Sequence, residues 1–221
     1  MKTVIFDLDG TLADTSADLI AAANTCFARR GHGALLDPVA DRLTAFHGGR
    51  AMLKLGFSRL EGPFGDDEVD RYFPDFLESY TENIDRETRL YPGAEAAVEA
   101  LLASGMRVGI CTNKPEGLAE TLMQRLGVRH LFGSLIGADT LPVRKPDPAP
   151  FTEAVRRAGG DPGRSVLIGD TDTDVKTARA AGVPVVLVAF GPEGPGIERL
   201  RPDALLERYE DLAKLLDRMM D

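Results

Sequence analysis

Val4-Ile5-Phe6-Asp7-Leu8-Asp9-Gly10-Thr11-Leu12-Ala13-Asp14 is the stretch from which the rest of the chain can be read. Val4, Ile5 and Phe6 are three bulky apolar residues in a row, the pattern of a strand buried on both faces. Asp7 and Asp9 follow at i and i+2, where such a strand runs out into solvent, so both carboxylates are placed for chemistry. Gly10 allows a sharp turn there, because a residue without Cβ reaches conformations that other residues resist.

Downstream the pattern alternates. Ala94, Ala97, Val98, Leu101 and Leu102 repeat at helical spacing and Gly105 supplies the stop; Arg107 to Cys111 then read as a strand. Leu118, Leu122 and Leu126, ended by Gly127, mark the next helix. Residues 134–137, 166–168 and 185–189 read as strands, and 148–158 and 171–181 as helices. Strict alternation of this kind is the signature of a parallel sheet covered by helices on both faces.

Between the first strand and this α/β region lies a different texture. Thr15-Ser16-Ala17-Asp18 resembles a capping box and opens a predicted helix over 16–30, closed by Gly31. Helix-like segments follow at 39–55 and 67–83, the latter with Val69, Tyr72, Phe73, Phe76 and Tyr80 along one stripe that reads as core. An all-helical stretch of roughly seventy residues is far longer than an ordinary connection in an α/β unit, so it is expected to be a separate small domain.

Bulk properties narrow the function. The chain of 221 residues carries a formal net charge of −9, which argues against general nucleic-acid binding, since that needs a basic surface to displace counterions. A small anion held by a few local Lys or Arg residues is not excluded. No apolar run approaches membrane-spanning length, and the N-terminal residues are too few and too acidic for a secretory signal; a cytoplasmic protein without membrane contact is expected. Cys26 and Cys111 form no metal-type spacing and read as small buried hydrophobes.

In parallel sheets ligands bind outside the carboxyl ends of the strands. Here those ends and the loops near them carry Asp7 and Asp9, then Thr112-Asn113-Lys114, then Arg144-Lys145-Pro146, then Gly169-Asp170-Thr171-Asp172-Thr173-Asp174. Crowded carboxylates repel one another unless a cation sits among them, and an oxygen-only donor set suits Mg²⁺. A Thr hydroxyl, a backbone N–H beside it at Asn113 and a Lys ammonium are donors suited to phosphoryl oxygens. Asp7 fits an attacking carboxylate that forms an aspartyl phosphate, and Asp9 fits the group that protonates the leaving oxygen and later deprotonates water. Asp170 and Asp174 also stand at i and i+4 near a helix start, where helix-dipole stabilisation competes as an explanation. Asp172 reads as a solvated acid, Lys114 and Arg144 as supporting charges, and His32, His47 and His130 as structural or exposed.

Asp7-x-Asp9-Gly10-Thr11, Thr112, Lys145-Pro146 and Gly169-Asp170-x-x-x-Asp174, in this order, resemble the four motifs of the haloacid dehalogenase superfamily across essentially the whole chain. The resemblance implies Asp7 as nucleophile, Asp9 as acid/base, Thr112 and Lys145 as phosphate clamps, and a metal held by Asp7, Asp170 and the Asp9 carbonyl, with Asp174 in support directly or through water. It also implies a Rossmann-like core, 1–15 and 87–221, with a helical cap, 16–86, inserted after the first strand. Leu90-Tyr91-Pro92-Gly93 and Cys111-Thr112-Asn113-Lys114-Pro115 resemble the phosphoglycolate phosphatase group, whose cap carries a glycine-rich substrate loop where Phe46-His47-Gly48-Gly49-Arg50 stands here. Asn113 and Gly10 are expected beside the phosphate, and Arg50, whose planar fork matches a carboxylate, beside the rest of the substrate. The expectation is an Mg²⁺-dependent phosphomonoesterase, monomer or homodimer, acting on a small phosphorylated metabolite with 2-phosphoglycolate first. A sugar phosphate, nucleotide, pyrophosphate or phosphomutase substrate, and a phosphoaspartate signalling receiver, are the alternatives.

Overall fold

The computed structural model describes residues 2–62 and 64–220; residues 1, 63 and 221 of the expected ranges lie outside them. The chain divides into two compact units, one made of Met1–Ala13 and Leu90–Asp221, the other of Asp14–Arg89.

The first unit is a six-stranded sheet. Its strands are β1 (Thr3–Phe6), β4 (Arg107–Cys111), β5 (Ser134–Ile136), β6 (Ser165–Gly169), β7 (Val185–Val188) and β8 (Ala204–Leu206), in the spatial order β5-β4-β1-β6-β7-β8 with every neighbouring pair parallel. The remaining two strands, β2 (Ala13–Asp14) and β3 (Arg89–Leu90), pair as a short ribbon where the chain leaves and re-enters this unit. β1 is central and all four of its residues are buried, as its unbroken apolar run requires. It pairs with β4 on one side and β6 on the other, so that Phe6 stands level with both Ile110 and Ile168. The chain runs outward from β1 through β4 to β5, then returns to β6 beside β1, and such a reversal opens a crevice at the strand ends.

Helices cover both faces: α5 (Ala94–Ala103), α6 (Glu116–Arg125), α7 (Pro148–Arg157), α8 (Asp172–Ala181) and α9 (Leu212–Met220). Alternation along β1 divides its side chains between two cores. Ile5 joins Phe151, Ala154 and Val155 of α7 and Ala178 of α8 on one face, while Phe6 meets Phe132 and Tyr209. Beyond the last predicted strand, β8 is too short for a pattern at Ala204–Leu206, whereas α9 does carry one, with Leu212, Leu215, Leu216 and Met219 at helical spacing.

The second unit contains α1 (Ser16–Arg29), α2 (Arg42–Ala45), α3 (Gly49–Phe57) and α4 (Asp66–Glu82). Its core is aromatic: Phe57 lies edge-on to Phe27 at 5.4 Å and to Tyr72 at 4.8 Å between ring centroids. Tyr72, Phe76 and Tyr80 of the expected stripe are buried. Burial of each ring contributes about 1.5–3 kcal/mol. Gly56 is small because a Cβ there would overlap the Phe27 ring.

Two local expectations are corrected. The segment 39–55 is not one helix, because Gly48, at φ +90°, breaks it into α2 and α3. Nor does Thr15-Ser16-Ala17-Asp18 form a capping box. Asp14 Oδ1 accepts from Ser16 N–H and Oγ, and Asp18 turns to the residues just before β3, accepting from Glu87 N–H, Thr88 N–H and Thr88 Oγ at 2.8–3.0 Å.

Candidate active site

The site is built where β1, β4 and β6 end. Asp7 continues β1, its N–H donating to Ile168 O at 2.8 Å, and its Oδ1 accepts the next N–H along the chain, from Leu8, at 2.7 Å. The turn that follows converges on one acceptor: Leu8 O takes the N–H groups of Thr11, Leu12 and Ala13. Gly10, at φ +84°, makes that closure possible and donates to Ala13 O.

Thr112 follows β4 and is buried, its Oγ accepting from Lys114 N–H at 3.2 Å. An oxygen that accepts there keeps its own proton to donate elsewhere. Asn113 spends its side-chain amide on the neighbouring loop, donating to Lys145 O at 3.0 Å. Lys145, next to a cis bond to Pro146, is almost fully buried and lies 2.7 Å from Asp174 Oδ1 and 3.1 Å from Asp7 Oδ2.

The last loop carries Asp170 and Asp174. Asp174 Oδ2 accepts from Asp170 N–H, Thr171 N–H and Thr171 Oγ, so this acid caps the start of α8 while its Oδ1 bonds Lys145. Gly169 must lack a side chain, because a Cβ there would overlap the Asp174 carboxylate. Asp170 Oδ1 accepts from Thr11 Oγ at 2.9 Å, whereas Oδ2 is buried with no hydrogen-bond partner among the described residues.

Lys114, read as a supporting charge, pairs with the second acid of the opening stretch. Its Nζ lies 2.8 Å from Asp9 Oδ1, with 4% of the lysine side chain exposed. Its position two residues after Thr112 was the signal that could have marked it. Asp172 is half-buried and pairs with Lys176. Arg50 stands on α3 of the helical unit, its guanidinium paired with Asp70 and 4.6 Å over the Phe73 ring. His47 is exposed, with Nδ1 near Leu43 O.

Burial pushes the Asp7 carboxyl up to about 6, against the opposing pull of Lys145 and with help from Asp174 and Asp9. Burial also raises Asp170 well above the carboxylate range, and Asp7 and Asp174 add to the shift. For Lys145 burial works against the charge, but Asp174 and Asp7 outweigh it and hold the ammonium above its ordinary value.

Asp7, Asp170 and Asp174 each offer a carboxylate oxygen within 4.8 Å of the other two. With Asp9, four carboxyl groups stand beside the ammonium groups of Lys114 and Lys145, and with all of them ionised the excess of two negative charges is what one divalent cation would cancel. The partnerless Asp170 Oδ2 and the all-oxygen donors fit a hard cation. Among the described residues no helix is long and apolar enough to cross a membrane.

The chain is similar over nearly its whole length to known proteins. The profile described as haloacid dehalogenase-like hydrolase matches residues 4–188. A protein of Mesorhizobium japonicum named phosphoglycolate phosphatase is 38% identical over 98% of this chain and 96% of its own. One of the same name from Agrobacterium fabrum is 36% identical over 96% of this chain and 91% of its own. Among solved structures, a predicted phosphoglycolate phosphatase from Haemophilus somnus 129pt superimposes with a TM-score of 0.85 at 28% identity, covering 97% of both chains.

Proposed function

Since the chain belongs to the haloacid dehalogenase-like hydrolase family, we propose that it is an Mg²⁺-dependent phosphomonoesterase whose substrate is 2-phosphoglycolate. The observation that carries the reading is the buried cluster of Asp7, Asp170 and Asp174 around Lys145, with one Asp170 oxygen left without a partner. The substrate rests on the curated relatives named phosphoglycolate phosphatase.

Asp7 attacks phosphorus through a carboxylate oxygen, forming an aspartyl phosphate as the bond to the leaving oxygen breaks. Asp9 gives its proton to that oxygen, then takes one from the water that attacks phosphorus and releases inorganic phosphate, returning Asp7 to a carboxylate. Lys145 offsets charge on Asp7 and the phosphoryl group, and Thr112 Oγ and the Asn113 N–H hold phosphoryl oxygens beside the Gly10 turn. The side chains of Asp7, Asp170 and Asp174 with the Asp9 carbonyl would hold Mg²⁺, which when bound neutralises the negative charge that substrate and carboxylates bring together. The helical residues 16–86 act as a cap, and Arg50 receives the substrate carboxylate.

A kinetic panel of 2-phosphoglycolate, sugar phosphates, a nucleotide and pyrophosphate, each with Mg²⁺ and with chelator, tests the reading. Chelator-sensitive hydrolysis that favours 2-phosphoglycolate is expected. A flat profile would remove the substrate assignment, and no phosphate release from any monoester would remove the activity itself.

A further inference from the structure

The carbonyl of Thr11 is an acceptor that receives no N–H from its own turn. Leu8 O receives three N–H groups and Ala13 O receives that of Gly10, but among the described residues no loop N–H donates to Thr11 O. Thr11 is fully buried, so water cannot serve it. The missing donor comes from the other end of the chain, where Tyr209 Oη donates to Thr11 O at 2.8 Å.

Thr11 is also the residue that holds Asp170. Its hydroxyl donates to Asp170 Oδ1 at 2.9 Å, and Asp170 Oδ2 is the oxygen left for a cation. A phenol thus fixes the main chain of the residue whose side chain fixes the carboxylate. Tyr209 is itself rigidly seated: 1% exposed, its ring centroid 5.1 Å from that of Phe190 and 6.5 Å from that of Phe6. Those ring contacts need no hydroxyl, and phenylalanine would make them equally well.

The geometry points to Tyr209 as a positioning residue for the metal ligand Asp170, acting through Thr11. This rests on the reading of Asp7, Asp170 and Asp174 as an Mg²⁺ site. Mg²⁺ demands near-ideal octahedral geometry, so a small rotation of one carboxylate weakens binding, and hydrogen-bond partners that orient a ligand tune affinity.

The test is calorimetric titration of Mg²⁺ into the metal-free full chain, for wild type, Tyr209→Phe, Thr11→Val and the double variant. Both substitutions preserve shape, and thermal unfolding of each metal-free variant verifies the fold. Tyr209→Phe is expected to raise the Mg²⁺ Kd by about three- to tenfold, less than the loss of a direct ligand partner. In the Thr11→Val background the same change is expected to add less than about twofold, since the link it works through is already cut. Wild-type affinity in Tyr209→Phe would overturn the proposal, as would fully additive effects in the double variant. Absence of Mg²⁺ binding by the wild-type chain would overturn the metal reading and this proposal with it.

Discussion

Lys114 Nζ and Asp9 Oδ1 lie 2.8 Å apart, and this ion pair joins the turn after β1 to the loop after β4. A lysine that fixes the carboxylate assigned the proton-transfer role should matter to turnover more than to substrate capture. Lys114→Met is expected to lower kcat by about ten- to a hundredfold with little change in KM. Lys114→Arg should recover part of the loss. Steady-state kinetics on 2-phosphoglycolate would show it, and wild-type kcat in Lys114→Met would leave the pair without a catalytic role.

Asp7→Asn should abolish turnover and yet leave a more stable metal-free protein. Burial raises the Asp7 carboxyl to about 6, so keeping it ionised at neutral pH costs the folded state more than the unfolded chain. Replacing it with a neutral amide is expected to add about 1–3 kcal/mol to metal-free stability at pH 7.5. Denaturant unfolding would report it; a less stable variant would contradict the sign.

The same shift makes metal binding pH-dependent. A raised acid in the folded state binds protons that the unfolded chain has already released, so metal-free stability from Asp7 falls as pH rises from about 4 through 6 and then levels; Asp170 extends the window upward. Mg²⁺ must displace those protons. Its affinity should therefore weaken as pH falls through 6, with proton release measurable by calorimetry in two buffers of different ionisation enthalpy. Affinity constant between pH 5 and 8 would exclude this coupling.

Asp18 ties α1 to the last residues of the helical unit, accepting from the N–H groups of Glu87 and Thr88 and from Thr88 Oγ while almost wholly buried. Asp18→Ala leaves those donors unmet in the interior and is expected to cost about 2–4 kcal/mol in denaturant unfolding. A loss below about 1 kcal/mol would mean that water replaces the carboxylate.

Arg50 can be separated from general binding by comparing substrates. Arg50→Ala should raise KM for 2-phosphoglycolate by about tenfold and leave KM for p-nitrophenyl phosphate, which has no carboxylate, nearly unchanged. Equal effects on both substrates would remove the carboxylate role.

The amino-acid sequence alone determined the parallel sheet, the helical stretch after β1 and the strand-end residues Asp7, Asp9, Thr112, Lys145, Asp170 and Asp174. Those features are local: apolar runs, helical spacing and turn glycines express themselves within a few residues, and ligands gather at strand ends by rule. Tertiary structure assigned the partners. Asp9 and Lys114 are 105 residues apart, Asp18 and Thr88 are 70, and Tyr209 and Thr11 are 198. No periodicity carries information over such separations. A buried acceptor takes whichever donor the fold brings within 3 Å, and that pairing exists only once the sheet has set β1 between β4 and β6.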